Sequence, residues 1–362
     1  MKILESTNLC RIYGDDLIVK QKLEARTYLV NMDNNNNFYL SKVDTPTINE
    51  KIYGVHSKKV DKVFNAWNSK NFQDKNLGVI LSGEKGTGKS LTAKMISIKA
   101  IKEYNLPVLI INNKYDGFDL SEFIESIKQE VVVLFDEFDK IYDRNKEQEE
   151  LLSLFDGMST GKKMFIITCN EVNKLSDYII DRTGRFHYHF RFGFLTEEEI
   201  KEYMRDKIKE CYKSEIDEVI LFNNKINLNY DKLRAICIEL NSGISFKECL
   251  EDLNIVNLYE GKELYNFILL YENGEKLINE QYANLFDNNL KVTFDIDYAD
   301  IATINCDLSN AKQENEKIII NAKYLNIKYY KELEEMYEKY SNLKPKALII
   351  TKTTPMNIKY AL

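Results

Sequence analysis

Eight residues constrain this chain more than any others: Gly83-Glu84-Lys85-Gly86-Thr87-Gly88-Lys89-Ser90, a complete G-x-x-x-x-G-K-[ST] loop. The run before it, Leu77-Gly78-Val79-Ile80-Leu81, is short and apolar and predicts a strand. From Ser90 to Tyr104, apolar residues at Leu91, Met95, Ile96, Ile98 and Ile101 suit a helix. Strand, loop and helix in that order are the setting in which such a loop wraps phosphate. Its glycines let backbone N–H groups turn inward around phosphate oxygens, and the start of the helix adds the positive end of its dipole. Lys89 is placed to reach the β- and γ-phosphates of a nucleotide, and the Ser90 hydroxyl to ligate Mg²⁺. The expected cofactors are ATP and Mg²⁺. A chance glycine-rich turn is the competing explanation, and a chain with 14 glycines in 362 residues rarely produces this pattern by accident.

A second motif follows a second buried strand. Val131-Val132-Val133-Leu134-Phe135 is apolar throughout, as a strand covered on both faces of a parallel sheet must be, and it ends in Asp136-Glu137. Ligands of parallel α/β sheets bind at the carboxyl ends of the strands, so this acidic pair is expected beside the phosphate loop. There Asp136 would hold Mg²⁺ and Glu137 would act as general base on the attacking water. The bland alternative is a solvated acidic turn. A third apolar strand, Met164-Phe165-Ile166-Ile167-Thr168-Cys169, ends in Asn170, whose amide either orients the water or caps the next helix.

Around these motifs the chain alternates strand and helix from residue 77 to about 195, with strands at 77–81, 107–112, 131–135, 163–168 and 186–192 and helices at 89–104, 119–129, 145–156 and 173–181. A helix over 57–71 precedes them, its Val60, Val63, Phe64 and Trp67 forming a core face. Upstream, 26–30 and 38–43 flank an Asp-Asn run and read as a hairpin. Downstream, Thr196 and Glu199 mark a capped helix start, and helices are expected at 197–212, 229–241 and 245–254. Beyond 256, β-like runs at 264–271, 291–298, 317–321 and 346–351 surround a helix near 328–341.

From the loop to about residue 192 the chain resembles the AAA branch of the AAA+ ATPases. Glu84-Lys85-Gly86-Thr87-Gly88-Lys89-Ser90 resembles its Walker A loop and Phe135-Asp136-Glu137-Phe138-Asp139-Lys140 its Walker B segment. Leu151-Leu152-Ser153-Leu154-Phe155-Asp156-Gly157 is similar to the family's L-L-x-x-L-D-G helix end, and Thr168-Cys169-Asn170 to the A-T-N of sensor 1. Asp181-Arg182-Thr183-Gly184-Arg185-Phe186 resembles L-R-P-G-R-F with threonine in place of proline. Ile52-Tyr53-Gly54 sits where the family's adenine-contacting turn precedes the core, and Ser242-Gly243-Ile244 is similar to the S-G-A that opens the last lid helix.

The resemblance implies an α/β fold, a P-loop AAA+ parallel-sheet core (51–195) with a helical lid (196–255); it does not reach the ends of the chain, whose residues read as a small β-rich N-terminal extension (1–50) and a mixed α/β C-terminal module (256–362). Nucleotide contacts are expected from Tyr53, Gly54, Gly83, Glu84, Lys85, Gly86, Thr87, Gly88, Lys89, Ser90, Leu91 and Gly243, and metal contacts from Ser90 and Asp136. Catalytic roles fall to Glu137 and Asn170, with Arg182 and Arg185 as arginine fingers reaching the next subunit of a ring, typically a hexamer; each arginine alternatively pairs with a local carboxylate. No lid arginine matches a sensor 2. In the stretch that corresponds to a pore loop, Tyr115 and Phe118 flank Gly117 as gripping candidates, although packing of Phe118 onto the following helix competes.

Charge and cysteine usage narrow the partners. A net charge of −7 argues against a broadly basic, nucleic-acid-coating surface, so a protein client is favoured over nucleic acid. The mixed lysines and tyrosines between Tyr324 and Tyr340 are diluted by Glu332, Glu334, Glu335 and Glu338 and read as a solvated amphipathic helix. Six scattered cysteines with no C-x-x-C pair suit a reducing, cytoplasmic compartment, and no apolar run is long enough for membrane insertion. The expected activity is ATP hydrolysis by an oligomer that remodels protein partners. The alternatives are a nucleotide-switched loader on nucleic-acid complexes and a structural ATPase whose ATP binding controls assembly.

Overall fold

The structure is a computed structural model that describes residues 2–6, 9–143, 146–156, 161–180, 184–223, 225–226, 228–253, 255, 263–285, 289–314 and 317–353. It divides into two units, one of Met1–Glu84 with Gly88–Phe192, the other of Lys85–Thr87 with Gly193–Leu362.

Besides a short antiparallel pair, Lys2–Ser6 with Leu9–Tyr13, the first unit has a seven-stranded sheet: β1 (Thr27–Met32), β2 (Phe38–Val43), β3 (Leu77–Gly83), β4 (Val108–Ile111), β5 (Val131–Phe135), β6 (Lys163–Cys169) and β7 (Tyr188–Phe192), in the spatial order β2-β1-β4-β5-β6-β3-β7. All neighbours are parallel except β1 and β2. Successive residues of a strand face opposite sides, so an unbroken apolar strand feeds two cores. Val131, Val133 and Phe135 of β5, with Phe165 and Ile167 of β6, enter one core, closed by Leu120 and Ile124 of α3 (Gly117–Ser126) and by Leu151, Leu154 and Phe155. Val132, Leu134, Met164 and Ile166 enter the other, closed by Val60, Val63, Phe64 and Trp67 of α1 (His56–Trp67) and by Ala93, Ile96 and Ala100 of α2 (Lys89–Tyr104).

The N-terminal hairpin forms as expected but does not stand apart as an extension bounded at residue 50. β1 pairs in parallel with β4, Thr27 opposite Val108 and Leu29 opposite Ile110, and so lengthens the central sheet. The reason is burial: Tyr28 and Val30 enter the same core as β5 and β6. The asparagine run becomes a tight turn in which Asp33 Oδ1 accepts from the Asn35 and Asn37 amides at 2.8 and 2.9 Å.

In the second unit, four helices come first: α4 (Glu197–Lys207), α5 (Glu215–Asn223), α6 (Tyr230–Ser242) and α7 (Phe246–Asp252). Capping boxes open α4 (Thr196 with Glu199) and α7 (Ser245 with Glu248), satisfying N–H groups that have no intrahelical acceptor. Then follow β8 (Glu263–Tyr271), β9 (Lys276–Ala283), β10 (Asn289–Ile296), β11 (Ala299–Asp307), a short strand Lys312–Glu314, β12 (Lys317–Asn321), β13 (Leu325–Tyr329), α8 (Glu334–Ser341) and β14 (Pro345–Lys352). They make two antiparallel sheets, β9-β8-β14-β12 ending on Lys312–Glu314, and β10-β11-β13. Both sheets bury one face in a common core that includes Phe267, Leu269, Val292, Phe294, Ile304, Ile320 and Leu348. At one corner Asn279 and Gln281 of β9 stitch the sheets together: Asn279 Nδ2 donates to the Thr293 carbonyl at 2.5 Å and Gln281 Oε1 accepts from the Thr293 amide at 3.1 Å. The module joins the helices through Tyr265 and Lys352, whose side chains donate to the carbonyls of Lys225 and Ile226.

The C-terminal module is thus more β-rich than a mixed α/β reading suggests. The helix expected near 328–341 is confined to 334–341, because Leu325–Tyr329 continues the second sheet. Lysines of this stretch lie over their own tyrosines: Lys323 over Tyr324 at 4.6 Å, Lys331 over Tyr337 at 5.1 Å and Lys339 over Tyr340 at 5.0 Å. Rings occupied in this way are not a free stacking platform for bases. Among the described residues, no helix is long and apolar enough to cross a membrane.

Candidate active site

Three motifs follow the carboxyl ends of three neighbouring strands: the phosphate loop after β3, Asp136-Glu137 after β5 and Asn170 after β6. The loop is shaped by glycines at positions no other residue fits. Gly88 has φ +95°, and a Cβ there would stand 2.3 Å from His56 Cε1. Gly83 has φ +142°, and its Cβ would stand 2.2 Å from the Phe192 carbonyl oxygen.

Lys89 is buried and folds back over the loop, donating to the carbonyls of Gly83 at 2.5 Å and Glu84 at 2.7 Å. Burial pushes its ammonium down from the usual lysine range, against the opposing pull of Cys169, Asp139, Glu137 and Asp136. Those acidic groups therefore act on Lys89, which brings the phosphate loop and the β5 carboxylates into one electrostatic site. Ser90 is exposed at the first turn of α2, and Leu91 beside it is half-buried.

Glu137 takes a left-handed conformation, φ +52° and ψ +46°, uncommon for a residue with a side chain and costing about 1–2 kcal/mol. Its amide donates to Thr168 Oγ1 at 2.8 Å, and the same hydroxyl donates to Asp136 Oδ1 at 2.7 Å. Glu137 is exposed and ion-paired with Lys140 one turn on. Asp139 reaches the other way, its Oδ2 accepting from the amides of Asn170 at 2.9 Å and Glu171 at 3.0 Å. Asn170 does not cap a helix with its side chain. Its Nδ2 is shielded from solvent and has no hydrogen-bond partner among the described residues. A buried donor without an acceptor is costly unless a ligand supplies one.

Tyr53 is buried, with the Lys51 ammonium 4.9 Å above its ring, and Gly54 turns the chain at φ +70°. Two residues on, His56 packs against the end of the phosphate loop, so this turn is carried to the nucleotide side of β3. Sequence reasoning had no signal for His56. Its Nδ1 lies 2.7 Å from Thr92 Oγ1, whose own proton goes to the Gly88 carbonyl at 3.1 Å, so Nδ1 is the donor. Its ring stacks on Phe192 with centroids 5.5 Å apart.

Glu84 lies at the edge of the loop in the first unit, whereas Lys85, Gly86, Thr87 and Gly243 belong to the second, where Gly243 closes α6 at φ +92°. Arg182 lies outside the described residues. Arg185 is not free to serve a neighbouring subunit: it is buried, forks onto Asp156 through Nε and Nη2, and donates from Nη1 to the Tyr178 carbonyl at 2.9 Å. Local pairing replaces the finger role expected of it.

Of the two pore-loop candidates, Tyr115 is withdrawn into the core and Phe118 stays at the surface. Tyr115 is buried, its hydroxyl donating to the Val30 carbonyl at 2.7 Å and its ring edge-on to Phe38. Phe118 is 66% exposed and does not pack onto α3. Gly117 is closely packed, since a Cβ there would stand 2.5 Å from Glu150 Cβ. His189 is structural, its Nε2 2.7 Å from Ser82 Oγ, and burial pushes it down to about 4.

A parallel sheet in this order, with a glycine-shaped phosphate loop and acidic residues at the adjoining strand ends, defines a P-loop nucleotide-binding protein. Residues 79–194 match the family described as ATPase family associated with various cellular activities (AAA), and the α/β core of the chain is an AAA-family P-loop ATPase domain. No curated protein matches the chain in a sequence comparison. The residues present fit a bound Mg²⁺–ATP: Gly88 leaves no room for a side chain, the Lys89 ammonium lies over the loop on the Gly83 and Glu84 carbonyls, Asp136 offers a hard oxygen ligand and the Asn170 amide awaits an acceptor.

Proposed function

We propose that the chain is an Mg²⁺-dependent ATP hydrolase that works as a homo-oligomeric ring, a hexamer by family resemblance, to remodel protein partners. The observation that carries the proposal is the convergence of Lys89, Asp136, Glu137 and the unpartnered Asn170 amide on neighbouring strand ends. Mg²⁺–ATP supplies the phosphoryl group and a charge that polarises it. Lys89 and the loop amides would hold the phosphates, and Ser90 and Asp136 would hold the metal. Glu137 takes a proton from the attacking water, and the Asn170 amide donates to that water or to the γ-phosphate. Because Arg185 is occupied by Asp156, Arg182 remains the residue offered to the neighbouring subunit. The attachment of the C-terminal module to the lid helices through Tyr265 and Lys352 makes that module the candidate carrier of the client. The acidic net charge favours a protein client, and six free cysteines favour the cytoplasm.

Glu137→Gln tests the reading. It should keep ATP binding and oligomerisation and lose turnover; normal turnover would remove Glu137 as base. ATPase rates with no additive, with single-stranded and duplex DNA, and with cellular protein extract then separate the client classes. Strong stimulation by DNA alone would replace the remodelling reading with that of a nucleic-acid loader.

A further inference from the structure

The hydrolase reading gives no role to the buried Thr168 hydroxyl. Thr168 is almost wholly shielded from solvent, and it stands where the sensor 1 motif that this segment resembles carries alanine. Its single oxygen serves both acidic residues of the adjoining strand end: it donates to Asp136 Oδ1 at 2.7 Å and accepts from the Glu137 amide at 2.8 Å. Asp139 returns the connection, binding the Asn170 and Glu171 amides at the end of β6. Each strand end thus lends a side chain to the other. Metal ligand, base and sensor are fixed as one body rather than as three independent loops.

We propose that Thr168 is a positioning residue that acts through Glu137 and Asp136. Its hydroxyl oxygen is the acceptor that holds the Glu137 amide in the left-handed turn, and that turn sets where the Glu137 carboxylate points. Its proton orients the Asp136 carboxylate. Neither bond touches Lys89 or the phosphate loop, so nucleotide affinity rests mainly on groups that Thr168 does not bind. The proposal rests on the hydrolase reading above.

Thr168→Val keeps the shape of the side chain and removes the hydroxyl. We expect kcat to fall about 10- to 100-fold, the range that a hydrogen bond to a charged group is worth. KM for ATP and the affinity for a non-hydrolysable ATP analogue should stay within about twofold, the mark of an interaction that matters only in the transition state. Thr168→Ser should restore kcat. In the Glu137→Gln background Thr168→Val should cost less than it does in the unmodified protein, because the part of its effect that runs through Glu137 is already gone. Should Thr168→Val fail to fold, Thr168→Ala takes its place against Thr168→Ser. A valine or alanine variant with the kcat of the serine variant overturns the proposal, as does a loss that appears equally in KM. An unmodified protein that does not hydrolyse ATP would instead overturn the hydrolase reading, which separates the two failures.

Discussion

Arg185 Nη2 lies 2.5 Å from Asp156 Oδ2, and the arginine side chain is only 6% exposed while its partner is 40% exposed. A planar guanidinium held in a fork by a carboxylate and a backbone carbonyl ties the segment after Gly184 to the end of the helix Leu152–Asp156. Arg185→Ala should therefore lower stability, by about 1–3 kcal/mol, in chemical denaturation. Arg182→Ala should act differently, lowering ATP turnover by roughly 10³-fold in the assembled protein, as loss of an arginine finger does. Mixing Arg182→Ala with Lys89→Ala subunits should restore part of the activity if sites are shared. Undiminished activity in pure Arg182→Ala protein would remove that residue as a finger.

Tyr115 and Phe118 should separate by stability. Removing the Tyr115 hydroxyl leaves the Val30 carbonyl, in the core of the sheet, without its partner, so Tyr115→Phe should cost about 1–3 kcal/mol. Phe118→Ala should stay within about 0.5 kcal/mol, since an exposed ring contributes little packing. Thermal unfolding of the two variants reads both. Equal costs would mean that the N-terminal hairpin is not a working part of the sheet.

The same pair illustrates what local sequence carries. The phosphate loop, the β5 carboxylates and β6 were legible because each motif lies within one strand and the turn after it, where apolar runs and glycine spacing are local signals. Tyr115 was misread because its burial is decided by Val30 and Phe38, some eighty residues earlier, and no pattern around Tyr115 reports that β1 pairs with β4. Strands β9 and β11 were missed for a different reason. Their runs Lys276–Ala283 and Ala299–Asp307 mix Asn, Gln, Glu and Asp among short apolar stretches, and the polar groups are used at the sheet corner by Asn279 and Gln281. His56 carries no motif at all; its value lies in filling the space that Gly88 leaves open.

His56 also predicts a pH dependence. Burial pushes its imidazole down to about 4, helped by the Lys59 charge, whereas in the unfolded chain it titrates near 6.5. Between those values the unfolded chain binds more protons than the folded one, so stability is fully present above about pH 6.5 and lost as pH falls toward 4. His189 is shifted the same way and adds to the slope. Carboxylates titrate in the lower part of this window, so the useful quantity is the difference between unmodified protein and His56→Gln. That difference should shrink steadily from pH 7 to pH 4.5 in denaturant titrations. A constant difference would mean that His56 titrates alike in the folded and the unfolded chain.

Tyr298 offers a test confined to the second unit. Ile296 pairs with Ala299, so Asp297 and Tyr298 alone form the turn between β10 and β11, and both have positive φ, +50° and +68°. Such a two-residue turn favours glycine at its second position, because a Cβ there crowds the backbone by about 1–2 kcal/mol. The Tyr298 ring is fully exposed and packs on nothing that would offset that cost. Glycine adds freedom to the unfolded chain, which returns about 0.4–1 kcal/mol of the gain. Tyr298→Gly should therefore raise stability by roughly 0.5–1 kcal/mol. Tyr298→Ala keeps the Cβ and should leave stability within about 0.5 kcal/mol of the unmodified chain. Urea midpoints of the two variants decide: a glycine variant no more stable than the alanine variant would show that the turn carries no strain at Tyr298.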